Sequence, residues 1–328
     1  MANSFSRILL IGAGQLGSRY LQGLSSIGRA SEILVVDPNL DALSLAKQRF
    51  EEMPANSHGQ SVMYHQDMTE LDGDFDLAII ATNADVRKKI VDSLLTNNDI
   101  KYLILEKVVF QSIDDFETTI QLLKGRKIRS WVNCPRRAVP FFRTLRKDIL
   151  RQHTISMNLR GSNWGIGSNT IHMLDLLAFL SGQVEFLFDI TQLDNRLYDS
   201  KKPGFIELAG RLTAVSSRGD TLDLYDDRKS NDPPTLIIEC GGRRLDIDEQ
   251  RGIVITSSRD ASVLNERKFT LPMQSEMTPS VVSQILTKGS SCLTPLEESF
   301  ILHRSMLRAF NRHLSNVLQK PVEVCSIT

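Results

Sequence analysis

The chain has 328 residues, a length that suggests two domains, because a single core rarely grows past about 250 residues. Its hydrophobic fraction of 41% and charged fraction of 24% are those of an ordinary globular protein, and Lys plus Arg balances Asp plus Glu at 39 each. Zero net charge leaves no global field to gather nucleic acid or an anionic membrane. No apolar stretch reaches the roughly 18 residues of a membrane span. Cys134, Cys240, Cys292 and Cys325 are widely spread, with no metal-ligand or disulfide-framework spacing. The expectation is a soluble, cytoplasmic protein with reduced, mostly buried thiols, no metal, no nucleic-acid partner and no membrane partner.

Arg7 to Gly12 is an apolar run of strand length that leads into Gly12-Ala13-Gly14-Gln15-Leu16-Gly17. A helical pattern follows from Gln15 to about Ile27, closed by Gly28. Glu32 to Asp37 is a second strand, and Asn39 caps a helix over roughly Leu40 to Met53. Strands at Ser61–His65, Phe75–Ala81, Tyr102–Glu106 and Ile128–Val132 alternate with helices at Asp85–Leu95 and Ile113–Leu123. Near-continuous apolar strands separated by helices predict a parallel sheet covered on both faces. After Asn133 the pattern changes. Helices are expected at Phe141–Leu150 and Asn169–Leu180, with a strand at Thr154–Leu159 between them. Strands follow at Glu185–Thr191, Ile206–Ser216, Thr221–Tyr225, Thr235–Cys240, Arg244–Ile247 and Gly252–Thr256, joined by turns such as Gly241-Gly242. Helices at Pro279–Leu286 and Pro295–Leu314 close the chain. The fold class is α/β: a Rossmann domain over residues 1–133, then an α+β domain with a mostly antiparallel sheet over residues 134–328, expected to bind substrate and to oligomerise.

The glycine turn leaves a strand and opens a helix, the context that gives G-x-G-x-x-G its meaning. Gly12 allows the tight turn, Gly14 lets backbone approach a pyrophosphate, and Gly17 lets the helix pack on the strand. Gln15 and Leu16 open the helix whose free amides and positive dipole end suit phosphates. Asp37, 20 residues after Gly17, is placed to accept from ribose hydroxyls and would repel a 2′-phosphate, so NAD is expected over NADP. Glu106-Lys107 lies where a buried strand ends, either beside a ligand or as a solvent-facing pair. Asn169, His172 and Asp175 form one ridge of a helix. His172 there is either a satisfied core histidine or an acid/base catalyst. Arg136-Arg137 either grips an anion or is a surface pair, and Trp164, in a glycine-rich loop, either stacks on a ligand or anchors the loop. Lys88-Lys89, Lys201-Lys202 and the Arg143/Arg146/Lys147 cluster read as solvated faces.

Together these residues resemble the glucose–fructose oxidoreductase/inositol dehydrogenase (Gfo/Idh/MocA) family. The Rossmann glycines and Asp37 match its nucleotide motif. Ala81-Thr82-Asn83 resembles its Ala-Thr-Pro turn, and Glu106-Lys107-Val108 its Glu-Lys-Pro. Asn133 to Arg137 resembles its Asn-x-x-x-Arg, and Ser168 to Asp175 its Asp-x-Gly-x-His-x-x-Asp. Asn83 and Val108 replace prolines, Ser168 replaces an acid, and Thr170 replaces a glycine. A cis peptide before Val108 would cost roughly 3 kcal/mol, so a trans bond is expected. The resemblance implies an NAD-dependent oxidoreductase of a sugar, cyclitol or sugar nucleotide. It implies that Lys107 hydrogen-bonds the reacting hydroxyl and that His172 is the general acid/base. On this reading Thr82, Asn83 and Glu106 join the cofactor site, and Arg137, Trp164, Ser168 and Asn169 contact substrate, while Asp175 contacts substrate, orients the His172 imidazole or caps local backbone. A catalytically silent dinucleotide-binding regulator and a reductase of a non-sugar substrate are the alternatives. The open sheet face suggests a homodimer or homotetramer.

Overall fold

The computed structural model describes residues 5–54, 58–149, 153–258 and 262–328, and the chain divides into two compact units. The first gathers Met1–Phe110, Asp114–Asn133 and Pro272–Leu296, and the second gathers Gln111–Ile113, Cys134–Leu271 and Glu297–Thr328.

In the first unit, β1 (Ser6–Ile11), β2 (Ser31–Val36), β3 (Gln60–His65), β4 (Phe75–Ile80), β5 (Ile100–Leu105) and β6 (Arg129–Val132) form a parallel sheet in the order β6-β5-β4-β1-β2-β3. The apolar runs Ile8–Ile11, Leu77–Ile80 and Leu103–Leu105 are fully or almost fully buried, as a sheet covered on both faces requires. Helices α1 (Gln15–Leu24), α2 (Leu40–Glu51), α3 (Ala84–Asn97) and α4 (Ile113–Gly125) alternate with these strands. Asn39 caps α2 as expected, its Oδ1 accepting from Asp41 N at 2.8 Å. Strand order reverses between β1 and β4, the place in such sheets where ligands bind, outside the carboxyl ends of the strands.

The helix Gln274–Lys288 and the two-residue strand Thr294–Pro295, which pairs antiparallel with β6, belong to this unit rather than to the second domain in which the sequence placed them. Packing explains the difference. Val281, Val282 and Ile285 join the core built from α1 and the sheet, and a Cβ at Gly23 of α1 would lie 2.6 Å from Ser275 O. Pro279 lies inside this helix instead of opening it. Lacking an N–H, it leaves the carbonyl of Ser275, four residues back, without its usual helical donor.

In the second unit, α5 (Pro140–Ile149) precedes β7 (Ile155–Ser162) and α6 (Ile166–Ser181). The expected end of the first of these helices, Leu150, lies outside the described residues. The strands that follow are β8 (Phe186–Leu193), β9 (Tyr198–Asp199), β10 (Ile206–Glu207), β11 (Gly210–Ser216), β12 (Thr221–Asp227), β13 (Thr235–Cys240), β14 (Arg243–Asp248), β15 (Ile253–Ser258) and β16 (Val263–Lys268). The large sheet runs β16-β15-β14-β13-β7-β12-β11-β8 and is antiparallel except where β12 meets β7. Period-2 alternation sorts its faces. Met157, Leu159, Leu222, Leu224, Ile238 and Ile247 turn inward, while the other face carries ion pairs such as Arg211–Asp223 and Arg244–Asp246. The edge strand β16, absent from the sequence expectation, is exposed at every position and so shows no alternation to read. Leu296–Leu318 forms the last helix, and no helix among the described residues is long and apolar enough to cross a membrane.

Candidate active site

Three loops meet at the carboxyl edge of the parallel sheet in the first unit. Gly12, at φ 94°, approaches the loop after β4 so closely that a Cβ would lie 2.9 Å from the carbonyl carbon of Ala81. Gly17 is tighter still, since its Cβ would fall 1.7 Å from Gly12 O. Gly14 is different: a Cβ there would meet nothing within 4 Å. Open backbone therefore faces outward at the α1 N-terminus, where Gln15 and the partly exposed Leu16 begin the first turn. Asp37 reaches back to this turn. Its Oδ2 accepts from Ala13 N at 2.7 Å and its Oδ1 from Asn39 N at 2.9 Å, which leaves lone pairs on both oxygens. Arg49 of α2 donates to Gln15 Oε1 at 2.8 Å and fixes that side chain. Asn83 is the N-cap position of α3, and the buried hydroxyl of Thr82 has no hydrogen-bond partner among the described residues.

At the end of β5, Glu106 points into the unit. Its Oε1 accepts from Tyr20 Oη at 2.5 Å and from Asn133 Nδ2 at 2.7 Å, so the carboxylate ties α1 to the ends of β5 and β6. Burial pushes the Glu106 carboxyl above its ordinary range, and burial together with Glu106 pushes the Tyr20 phenol up. The cofactor contact expected of Glu106 is thus not where this oxygen goes. The following Lys107–Val108 peptide is cis, which corrects the expected trans bond. In the fold Val108 is fully buried, and its carbonyl accepts from the buried guanidinium of Arg87.

The second unit brings Trp164, Asn169 and His172 together on the wall of a cavity of about 290 Å³. Helix α6 starts at Ile166, three residues earlier than expected, on Gly165 at φ 82° with no side-chain cap of its own. Buried carboxylates from two strands substitute for the cap. Asp226 accepts from Gly165 N at 2.9 Å, and Glu207 accepts from Ser168 N at 3.2 Å and from Ser168 Oγ at 2.7 Å. Burial pushes the Asp226 carboxyl up despite those amides. Asn169 Nδ2 donates back to Trp164 O at 2.5 Å, and the Trp164 indole donates to Tyr225 O at 2.9 Å. The loop is therefore pinned at both ends of the tryptophan.

Three expected substrate contacts point elsewhere. Ser168 turns to Glu207. Arg137 and Asp175 are buried and paired, with Nε to Oδ2 and Nη2 to Oδ1 each at 2.8 Å, and Glu298 takes Nη2 at 2.7 Å. Carboxylates, not a ligand, occupy that guanidinium. Arg136 is the arginine that lines the cavity, held by a bidentate pair with Glu249 at 2.8 and 2.6 Å. Sequence reasoning missed Glu249 and Gln250, which line the cavity from the turn after β14, and Glu207. No motif marks Glu249 and Gln250, which follow β14, and the sheet order β14-β13-β7 puts that strand beside those that carry Leu236 and Leu159 on the same cavity.

No protein-family model matches the chain, and no curated protein matches it in sequence. Solved structures do match in fold. An oxidoreductase from Agrobacterium radiobacter, in complex with NAD+, L-tartaric acid and magnesium, is 13% identical, covering 97% of this chain and 98% of its own, with a TM-score of 0.69. The UDP-N-acetylglucosamine 3-dehydrogenase of Acidithiobacillus ferrooxidans is 12% identical, with coverages of 92% and 96% and a TM-score of 0.66. A Gfo/Idh/MocA family oxidoreductase from Vibrio cholerae is 17% identical, with coverages of 96% and 100% and a TM-score of 0.67. At these identities the likeness is one of fold, and the chain has the fold of Gfo/Idh/MocA-type oxidoreductases.

Proposed function

We propose that the protein is an NAD-dependent oxidoreductase acting on a hydroxyl or keto carbon of a sugar, cyclitol or sugar nucleotide. The observation that carries this reading is the open backbone at Gly14, with Asp37 held against the same turn through Ala13 N. The amides of Gly14, Gln15 and Leu16 would hold the phosphates of a dinucleotide, Asp37 a ribose, and Thr82 and Asn83 the nicotinamide end. Asp37 favours NAD over NADP, because a carboxylate repels a 2′-phosphate. A bound nicotinamide supplies a carbon that takes or gives a hydride. The chain's own residues handle the rest. Lys107 hydrogen-bonds the reacting oxygen and stabilises charge on it, and the His172 imidazole takes the hydroxyl proton in oxidation or returns it in reduction.

The cavity beside His172 supports a hydroxyl-bearing, uncharged substrate portion. Trp164 offers an apolar face, Asn169 and Gln250 offer amides, and Glu249 neutralises Arg136. The neighbours of known activity support the same class, since one is a sugar-nucleotide dehydrogenase. A homodimer or homotetramer is part of this reading, and light scattering that returns the monomer mass at micromolar protein would contradict it. Nicotinamide absorbance, followed with NAD or NADH against sugars, cyclitols, sugar nucleotides and their keto forms, tests the function. Turnover of one such class supports it, whereas tight NADH binding without turnover across the panel favours a silent regulator.

A further inference from the structure

Arg87, on α3, is 1% exposed. Its donors go to main-chain carbonyls: Nη1 to Val108 O and, at 2.7 Å, to Val109 O, and Nη2 to Thr82 O. Its Nε is buried with no hydrogen-bond partner among the described residues. A desolvated guanidinium with one donor unmet is costly to keep where an apolar side chain would fill the same space. What the arginine provides instead is a rigid planar fork across two segments. Thr82 O belongs to the turn after β4 that carries the cofactor candidates Thr82 and Asn83. Val108 O and Val109 O belong to the segment that follows Lys107. Three carbonyls from two loops held by one plane fix those loops relative to each other, which a single-point ammonium cannot do. Burial pushes the guanidinium down to about 10 against the pull of the nearby Glu106 carboxylate, so near neutral pH it keeps the cationic form that this grip requires.

We infer that Arg87 is a positioning residue that clamps the Lys107 segment to the Thr82–Asn83 turn, so that both loops present their side chains in one fixed arrangement. The inference rests on the roles proposed above for Lys107 and Thr82, while the clamp is a property of the folded chain itself.

Hydrogen–deuterium exchange on the unliganded full-length protein reads the clamp. In Arg87→Met, amides 82–84 and 107–110 should exchange about 10-fold faster, while those of Gly12 to Gly17 keep the wild-type rate. Arg87→Lys, which keeps the charge and reaches fewer carbonyls, should give a smaller increase in the same segments, and it serves if the methionine variant folds poorly. On the best substrate of the panel above, Arg87→Met should lower kcat about 100-fold, the size of effect a misplaced group produces. The NADH dissociation constant should rise only a few-fold. The double variant Arg87→Met/Lys107→Ala should be no slower than Lys107→Ala alone, because there is then no amine left to misplace. Unchanged exchange in both segments, acceleration spread over the whole first unit, or rate losses that multiply in the double variant would each overturn the inference. If the wild-type protein turns over nothing, the oxidoreductase reading falls, and the exchange measurement still decides the clamp.

Discussion

An alanine at Gly14 and an alanine at Gly17 should separate ligand binding from folding within one turn of α1. Gly14 has φ −61° and ψ −161°, a conformation open to any residue, and its added methyl group meets nothing within 4 Å. Restricting the unfolded chain stabilises by about 0.4–1 kcal/mol, and replacing glycine by alanine at the N-cap costs about as much. The net change in stability should lie within about 0.5 kcal/mol of zero. The same methyl group fills the space through which a pyrophosphate would approach the amides. NADH affinity should therefore fall at least about 10-fold, or about 1.4 kcal/mol. At Gly17 the methyl carbon would stand 1.7 Å from Gly12 O, so the backbone must move. That overpacking should destabilise by about 1–3 kcal/mol or more, with affinity falling as a consequence. Thermal unfolding and NADH fluorescence titration on both variants give the comparison. Wild-type affinity in Gly14→Ala would refute the placement of the cofactor at this turn.

Asp37→Ser should weaken NADH binding and narrow its preference over NADPH, measured by parallel titrations, because the repulsion of a 2′-phosphate goes with the carboxylate. Asp175→Ala leaves the buried Arg137 with Glu298 alone, and stability should fall by about 3 kcal/mol in urea unfolding, whereas a residue acting only through His172 would change rates and not stability. Burial raises the Glu106 carboxyl, so in the interval above the ordinary glutamate range the folded state binds more protons than the unfolded state. Its contribution to stability is therefore present at low pH and lost as pH rises through the raised value. Glu106→Gln should remove that component. The stability difference between wild type and variant, followed by urea unfolding across the carboxylate range and up to neutral pH, should shift against wild type as pH rises.

The first unit was largely legible because its strands are buried on both faces and read as apolar runs, and because Asn39 and the glycine turn are local signals. Where partners come from distant chain, the sequence was silent. The start of α6 is set by Glu207 and Asp226, which lie some 40 and 60 residues further on, rather than by a residue beside it. Arg136 and Arg137 are neighbours with opposite fates, decided by Glu249 on one side and by Asp175 and Glu298 on the other. Motif spacing favoured Arg137 for substrate, yet burial turns it into the tie that holds its segment to α6. The Gln274–Lys288 helix reads as part of the second domain by order along the chain, and its fit against Gly23 and the packing of Val281, Val282 and Ile285 into the core return it to the first unit.

The most direct test of the central claim is steady-state turnover, with NAD and the best substrate of the panel, in wild type, Lys107→Ala and His172→Ala. Each variant should lose about 100-fold or more in kcat, with NADH affinity close to wild type. Full turnover in either variant would remove that residue from the chemistry, and full turnover in both would contradict the mechanism outright.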